Sequence, residues 1–150
     1  MRIIKYLIIL WMIIIFLLSN QKAQESKQLS NSFITKTIIN IYEMKNGKIS
    51  EKKKIEIKEN YSFIVRKAAH FTIYLILGLL VSIVLTQKCL NLKQIIIYSV
   101  LICMAYAVTD EIHQIFVNGR SGEIRDVLVD TCGSTIGILL NIIVNRKRII

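Results

Sequence analysis

The chain has 150 residues, of which 53% are hydrophobic, and it carries a formal net charge of +10. This length suits one domain, but the hydrophobicity exceeds that of an ordinary soluble domain and comes in long blocks. In a soluble protein such a charge would indicate a nucleic-acid partner. Here the basic residues mostly flank apolar blocks, so we predict membrane lipids with anionic headgroups as partners, and no nucleic acid.

Four mainly apolar blocks cover residues 3–18, 68–85, 95–108 and 127–144. Each block reaches the length of a bilayer span, about 17–25 residues, once its polar ends are included. The sequence therefore predicts an all-α fold, a bundle of four transmembrane helices with an amphipathic first loop.

The N-terminus resembles a signal peptide, because Arg2 and Lys5 precede an apolar run. The stretch 19–23 lacks a small-x-small cleavage pattern. We therefore predict that the first helix is retained.

The long polar segment 19–62 follows. Its apolar residues around Ile34, Ile38 and Tyr42 recur near helical spacing, which predicts an amphipathic helix lying on the membrane. Residues 45–48 form a turn signal, and residues 54–58 alternate like a short strand. We interpret most of this segment as a solvated loop without chemistry.

Ser62 is the predicted N-cap of the second helix. Beyond it, Arg66, His70 and Tyr74 follow at i, i+4 and i+8, so they line one stripe of this helix. Lys67 lies beside the stripe, and Gly78 continues it and allows another helix to approach.

The third helix is predicted to run to about residue 114, with Asp110, His113 and Gln114 on one face and Glu111 adjacent. Residues 118–122 contain Asn-Gly and Ser-Gly turn dipeptides and predict a loop. The loop carries Arg120.

The fourth helix is predicted to begin near Asp126, with Arg125 just before it. Asp126 and Asp130 share a face with the GxxxG motif at residues 133–137, which lets helices pack closely in lipid. This pattern directs both acids toward the bundle interior.

Antiparallel helices with short connections bring the start of helix two, the end of helix three and the start of helix four to one membrane side. An ionisable residue at a helix centre costs about 2.5–3.5 kcal/mol on insertion scales, so such groups are usually paired or functional. The predicted ligand-binding or polar cluster consists of Arg66, Lys67, His70, Tyr74, Asp110, Glu111, His113, Gln114, Arg120, Arg125, Asp126 and Asp130.

Orientation follows from the basic residues. The cations at both termini, together with Lys88 and Lys93, predict cytoplasmic N- and C-termini and an outward-facing cluster. The lysine-rich first loop opposes this assignment, because it would also face outward.

Four pieces of the chain, in order, resemble the VanZ-like family of small bacterial membrane proteins, over roughly residues 63–141. They are Arg66-Lys67-Ala68-Ala69-His70-Phe71 with Tyr74 and Gly78, Asp110-Glu111 with His113-Gln114 and Phe116, Arg120-Ser121-Gly122 with Asp126, and Gly133 with Gly137.

The resemblance implies a location in the bacterial cell membrane and a role in the cell envelope, since the family is named after a member associated with low-level teicoplanin resistance. It implies a division into a first helix with a polar loop (1–62), a core of three helices (63–145) and a basic tail (146–150). The family often has an acid in helix two near Tyr74 and Asn in helix four. Here Ile73 precedes Tyr74 and Asp130 stands in helix four, so the resemblance implies that an acid has moved between helices.

Several functions are compatible with the cluster. Its cations suit an anionic ligand, such as a lipid-linked cell-wall intermediate, with the acids orienting the cations. Two histidines and several carboxylates also suit an enzyme that uses a metal or acid–base chemistry, and charges within spans suit a proton-linked transporter. A purely structural interpretation is a network of buried ion pairs. No standard metal-binding signature is present, so we predict neither a metal nor another cofactor.

Overall fold

The computed structural model describes residues 2–20, 34–88, 90–120 and 122–149. It contains five helices in these ranges, and no strand is found there. They are α1 (Arg2–Ser19), α2 (Ile34–Asn46), α3 (Glu51–Thr86), α4 (Leu92–Ile115) and α5 (Ile124–Ile149). The prediction of an all-α bundle is confirmed, whereas predictions that concern residues 21–33 and Ser121 lie outside the described residues.

Three helices are long and apolar enough to cross a membrane: α3, α4 and α5 up to Asn145. Helix α1 is a shorter apolar helix of 18 residues. Hydrogen bonds to neighbouring helices join it to the bundle, and two of them lie near its middle. The Trp11 indole donates to the Ile73 carbonyl at 2.9 Å, and the Tyr106 hydroxyl donates to the Met12 carbonyl at 2.6 Å.

Helix α3 begins far earlier than the sequence indicated, so the prediction of Ser62 as its N-cap is wrong. Ser50 is the N-cap, and its hydroxyl oxygen accepts from the Lys53 backbone N–H at 3.4 Å. Residues 51–62 consist largely of lysine and glutamate, which favour helix and contain no glycine or proline to stop it. The strand-like alternation at 54–58 is therefore helical, and most of the predicted loop belongs to α2 and α3.

The length of α3 explains why its N-terminal part is charged and the rest of the helix is mainly apolar. Thirty-six residues correspond to about 54 Å of helix, and the hydrocarbon core of a bilayer is only about 30 Å thick. The charged N-terminal part thus extends beyond the span. Lys54 pairs there with Glu43 of α2 at 3.2 Å, which ties the amphipathic helix α2 to α3.

Helices α3 and α5 form the most extensive contact of the bundle. Glycines allow this contact, because a Cβ atom at Gly78 would overlap the Ser134 carbonyl, and one at Gly133 or Gly137 would overlap the backbone of Phe71 or Leu75. The close approach that the sequence predicted for Gly78 and the GxxxG motif is confirmed. This seam fixes α5 against α3 and determines which α5 side chains face inward.

Candidate functional site at the polar end

The end of α1, residues 66–74 of α3, the end of α4 and the start of α5 meet at one end of the bundle, which we call the polar end. Its buried side chains are His70, Tyr74, Asp110, Glu111, Gln114, Asp126 and Asp130, together with Ser19 of α1. The short connection between α4 and α5 closes it, with a turn at Gly119, whose φ is +80°. Most of the residues predicted for the cluster therefore lie close together.

Gln114 is the centre of a hydrogen-bond network that joins three segments. Its amide nitrogen lies 3.2 Å from Asp110 Oδ2, 3.1 Å from Glu111 Oε1 and 3.3 Å from Ser19 Oγ. Its amide oxygen accepts from Arg120 Nη1 at 3.2 Å. Because Gln114 is buried, this network holds the Arg120 loop against the ends of α1 and α4.

Glu111 has a structural role. One carboxylate oxygen accepts from Gln114, and the other accepts from the Glu123 backbone N–H at 2.9 Å. Both of its oxygens thus have partners within the protein. Glu111 fixes the start of α5 against the end of α4.

Lys67 pairs with two acids, one in α5 and one in the segment before it. Its ammonium group contacts the Asp126 carboxylate and lies 3.6 Å from the Glu123 carboxylate. It also lies 5.0 Å from the centre of the Phe63 ring, within cation–π distance. Asp126 and Glu123 therefore already have a cationic partner within the protein.

Arg66 and Arg120 differ from Lys67, because neither forms an ion pair with a carboxylate among the described residues. Arg120 donates one hydrogen bond to Gln114, and its Nε atom is buried without a partner in the described part of the chain. Burial lowers the pKa of the Arg120 guanidinium, and the nearby charge of Arg66 lowers this pKa further. An arginine still stays protonated in proteins, so two like charges face the same region.

These two arginines line a pocket at the polar end. The pocket has a volume of about 60 Å³ and is lined by Arg66, His70, Gln114, Gly119, Arg120, Glu123 and Asp126. Its lining is almost entirely polar. We call this cavity the polar pocket.

A second group lies on the interior side of the pocket. His70 Nδ1 is 3.5 Å from Asp130 Oδ1, and Asp110 approaches both residues. Asp130 is fully buried, and neither of its oxygens has a hydrogen-bond partner among the residues described here. The buried Tyr74 hydroxyl likewise lacks one within the described ranges, and Asp110 and Asp130 are its strongest charged neighbours.

Two predicted residues belong neither to the pocket lining nor to the buried group beside it. Arg125 is exposed, since it lies about 100° around α5 from Asp126. His113 is half-buried and its ring packs 4.4 Å from the Phe16 ring of α1. Arg125 was grouped with the cluster by its position along the chain, and His113 by the helical face that it shares with Asp110 and Gln114.

Two contributors were absent from the predicted set. Ser19 donates to Asp110 Oδ2 at 2.7 Å, and Glu123 lines the pocket and pairs with Lys67. The signal for Ser19 was its place as the first polar residue after the apolar run of α1. The signal for Glu123 was its position between two predicted residues, Arg120 and Asp126.

The helices and the buried charges define a class: a helical membrane protein with a polar pocket at one end of its bundle. The chain belongs to the VanZ/LLP1 family, which it matches over residues 4–145, nearly the whole chain. The match extends beyond the 63–141 stretch to α1 and α2. Comparisons with curated proteins and with solved structures give no match.

Proposed function

We propose that the protein binds an anionic group of an envelope molecule in the polar pocket. The observation that carries this proposal is the pair of arginines, Arg66 and Arg120, which line one pocket and have no carboxylate partner among the described residues. Guanidinium groups form strong, often bidentate hydrogen bonds to phosphate and carboxylate. An anion between them would relieve the repulsion of two like charges.

The acids of the pocket do not cancel this attraction. Asp126 and Glu123 face Lys67, and Glu111 is satisfied by a backbone N–H and by Gln114. Lys67 thus offsets one of the two negative charges of Asp126 and Glu123, and together with Arg66 and Arg120 these groups keep one net positive charge for a ligand.

The size and place of the pocket favour a headgroup as ligand. A volume of about 60 Å³ suits one phosphate or carboxylate group, with the rest of the ligand outside. The pocket lies at the end of the apolar spans, the level at which lipid headgroups meet a transmembrane protein. The ligand class is therefore a lipid-linked cell-wall intermediate or an anionic envelope polymer.

The biological role that we propose is a contribution to low-level glycopeptide resistance, teicoplanin above all, or to cell-envelope homeostasis. It rests on family membership and on a pocket suited to an anionic envelope ligand. We further propose that the N- and C-termini are cytoplasmic, which would turn the pocket toward the outer leaflet and the cell wall. Basic residues at both ends of the chain support this orientation.

A binding experiment tests the pocket directly. The full chain, purified in lipid nanodiscs, would be titrated with a polyprenyl monophosphate and with the matching uncharged polyprenol. We expect binding of the phosphate alone. Arg66→Gln and Arg120→Gln should each weaken it roughly tenfold to a hundredfold, because a hydrogen bond to a charged group contributes about 1.5–3 kcal/mol.

Arg125→Gln is the matched control, since Arg125 lies near the same end of the bundle but is exposed. This variant should bind like the wild type. Equal loss in all three variants would show only a general attraction of basic residues for anions. Unchanged binding by Arg120→Gln, or equal binding of the polyprenol, would contradict the proposal.

A further inference from the structure

The carboxylates of the polar end divide into two groups. Glu111, Glu123 and Asp126 are engaged by Gln114, by a backbone N–H or by Lys67. Asp130 and one oxygen of Asp110 have no hydrogen-bond partner among the described residues, although Asp130 is fully buried and Asp110 is 3% exposed. The second group thus consists of carboxylate oxygens without a hydrogen-bond donor in the described part of the chain.

His70 faces this second group. Its Nδ1 atom lies 3.5 Å from Asp130 Oδ1 and makes no hydrogen bond within the described residues. The separation exceeds the usual range of about 2.7–3.2 Å for a hydrogen bond from nitrogen to oxygen. In a tetrahedral zinc site with bonds of about 2.0–2.2 Å, neighbouring ligand atoms lie about 3.3–3.6 Å apart.

We propose that His70, Asp110 and Asp130 bind one divalent transition-metal cation, zinc(II) or manganese(II), between α3, α4 and α5. One ligand atom from each residue lies within 4.8 Å of the other two. An imidazole nitrogen with two carboxylate oxygens suits these ions. The positive charge of the cation would compensate the two carboxylates that the protein leaves unpaired.

The surroundings of the site fit a metal centre in two further ways. Asp110 Oδ2 accepts from Ser19 at 2.7 Å and from Gln114 at 3.2 Å, which orients the carboxylate and leaves Oδ1 free for a cation. His70 also lines the polar pocket, which provides an entry path. The cation site stands independently of the anion proposed for that pocket.

Metal loading of the purified full chain tests the proposal. The protein in detergent would be stripped with a chelator, incubated with zinc chloride or manganese chloride, desalted and analysed by inductively coupled plasma mass spectrometry. The wild type should retain about one ion per chain, and His70→Gln and Asp130→Asn should retain less than about a tenth of it. Ser19→Ala should still bind, about tenfold to a hundredfold more weakly, because it removes only an orienting hydrogen bond.

Glu56→Gln is the control, since it also removes one carboxylate, at an exposed position of α3 that belongs neither to the pocket lining nor to the proposed metal site. It should load like the wild type. Loading of Asp130→Asn equal to that of the wild type, or a wild type without metal under these conditions, would overturn the proposal and leave a simple His–Asp pair.

A spectroscopic measurement on the wild type keeps the test decisive even if a variant fails to fold. X-ray absorption at the zinc edge should show only nitrogen and oxygen ligands at about 2.0–2.2 Å, with one imidazole among them. Sulfur ligands would assign the zinc to cysteines and contradict the proposal. Because no lipid phosphate is present, the outcome is separate from that of the anion-binding experiment.

Discussion

Asp130 and Asn141 are two buried polar residues of the same helix, α5, and they differ in how the protein satisfies them. Asn141 is 2% exposed; its amide nitrogen donates to the Thr86 hydroxyl at 3.1 Å, and its amide oxygen accepts from Asn145 at 2.8 Å. Asp130 is fully buried, and neither oxygen finds a donor in the described part of the chain. Neighbouring side chains thus satisfy the buried amide of Asn141, whereas Asp130 has only the His70 imidazole, 3.5 Å away, beside its carboxylate in the described part of the chain.

The same contrast separates the two groups of charges at the polar end. The acids near Lys67 resemble Asn141, because their partners come from the protein itself. Arg66 and Arg120 have no carboxylate partner among the described residues, and Asp130 has only the His70 imidazole, 3.5 Å away, beside its carboxylate there. We therefore expect mutations of satisfied groups to act on stability and mutations of unsatisfied groups to act on binding.

The largest effect should come from Gly133→Leu, which breaks the seam that positions both Asp130 and Asn141. A side chain there would overlap the Phe71 carbonyl of α3, and overpacking typically costs about 1–3 kcal/mol and occasionally more. We expect little folded protein in the membrane and a clear fall in the thermal unfolding temperature in detergent. Cys132→Leu is the control, since Cys132 is the exposed neighbour; equal yield and stability of the two variants would refute this account of the seam.

An intermediate effect is expected for Asn141→Leu. It removes the hydrogen bonds that the Asn141 side chain makes with the Thr86 hydroxyl and with the Asn145 amide, and each such bond contributes about 0.5–1.5 kcal/mol. The variant should unfold at lower temperature while binding polyprenyl phosphate and zinc like the wild type. Weakened binding at matched folded fraction would mean that the two ends of the bundle are not independent.

The smallest effect is expected for Lys53→Gln in the charged N-terminal part of α3. Lys53 pairs with Glu56 at 3.0 Å on an exposed surface, where such pairs contribute little because water screens them. We expect no measurable change in thermal unfolding or in ligand binding. A loss of binding would indicate that this part of α3 also contacts the ligand.

The sequence predicted the parts of the fold that depend on long apolar blocks and on helical spacing. Apolar blocks that are about as long as a bilayer span indicate transmembrane helices directly. Gly78 and the GxxxG motif indicated close contact between helices, and the structure confirms that contact. It did not predict the start of α3, because Ser62 and Ser50 are both acceptable caps. The helix-forming lysines and glutamates between them decide in favour of Ser50.

The candidate site was predictable in its location and less so in its details. The periodicity of Arg66, His70 and Tyr74 placed three residues on one face, but no local pattern reveals that Ser19 reaches Asp110 across 91 positions. Which charges are satisfied also depends on contacts between helices. Lys67 and Arg66 are neighbours in sequence, yet only Lys67 forms ion pairs in the described part of the chain.

The central claim is that the unpaired charges of the polar end form a functional site. Its most direct test is the teicoplanin susceptibility of a sensitive Gram-positive host that expresses the wild type, Arg120→Gln or Arg125→Gln, with membrane levels measured through a tag. The account predicts protection by the wild type and by Arg125→Gln, and loss of protection in Arg120→Gln at equal protein level. Protection by Arg120→Gln equal to that of the wild type, or no protection by a fully expressed wild type, would contradict it.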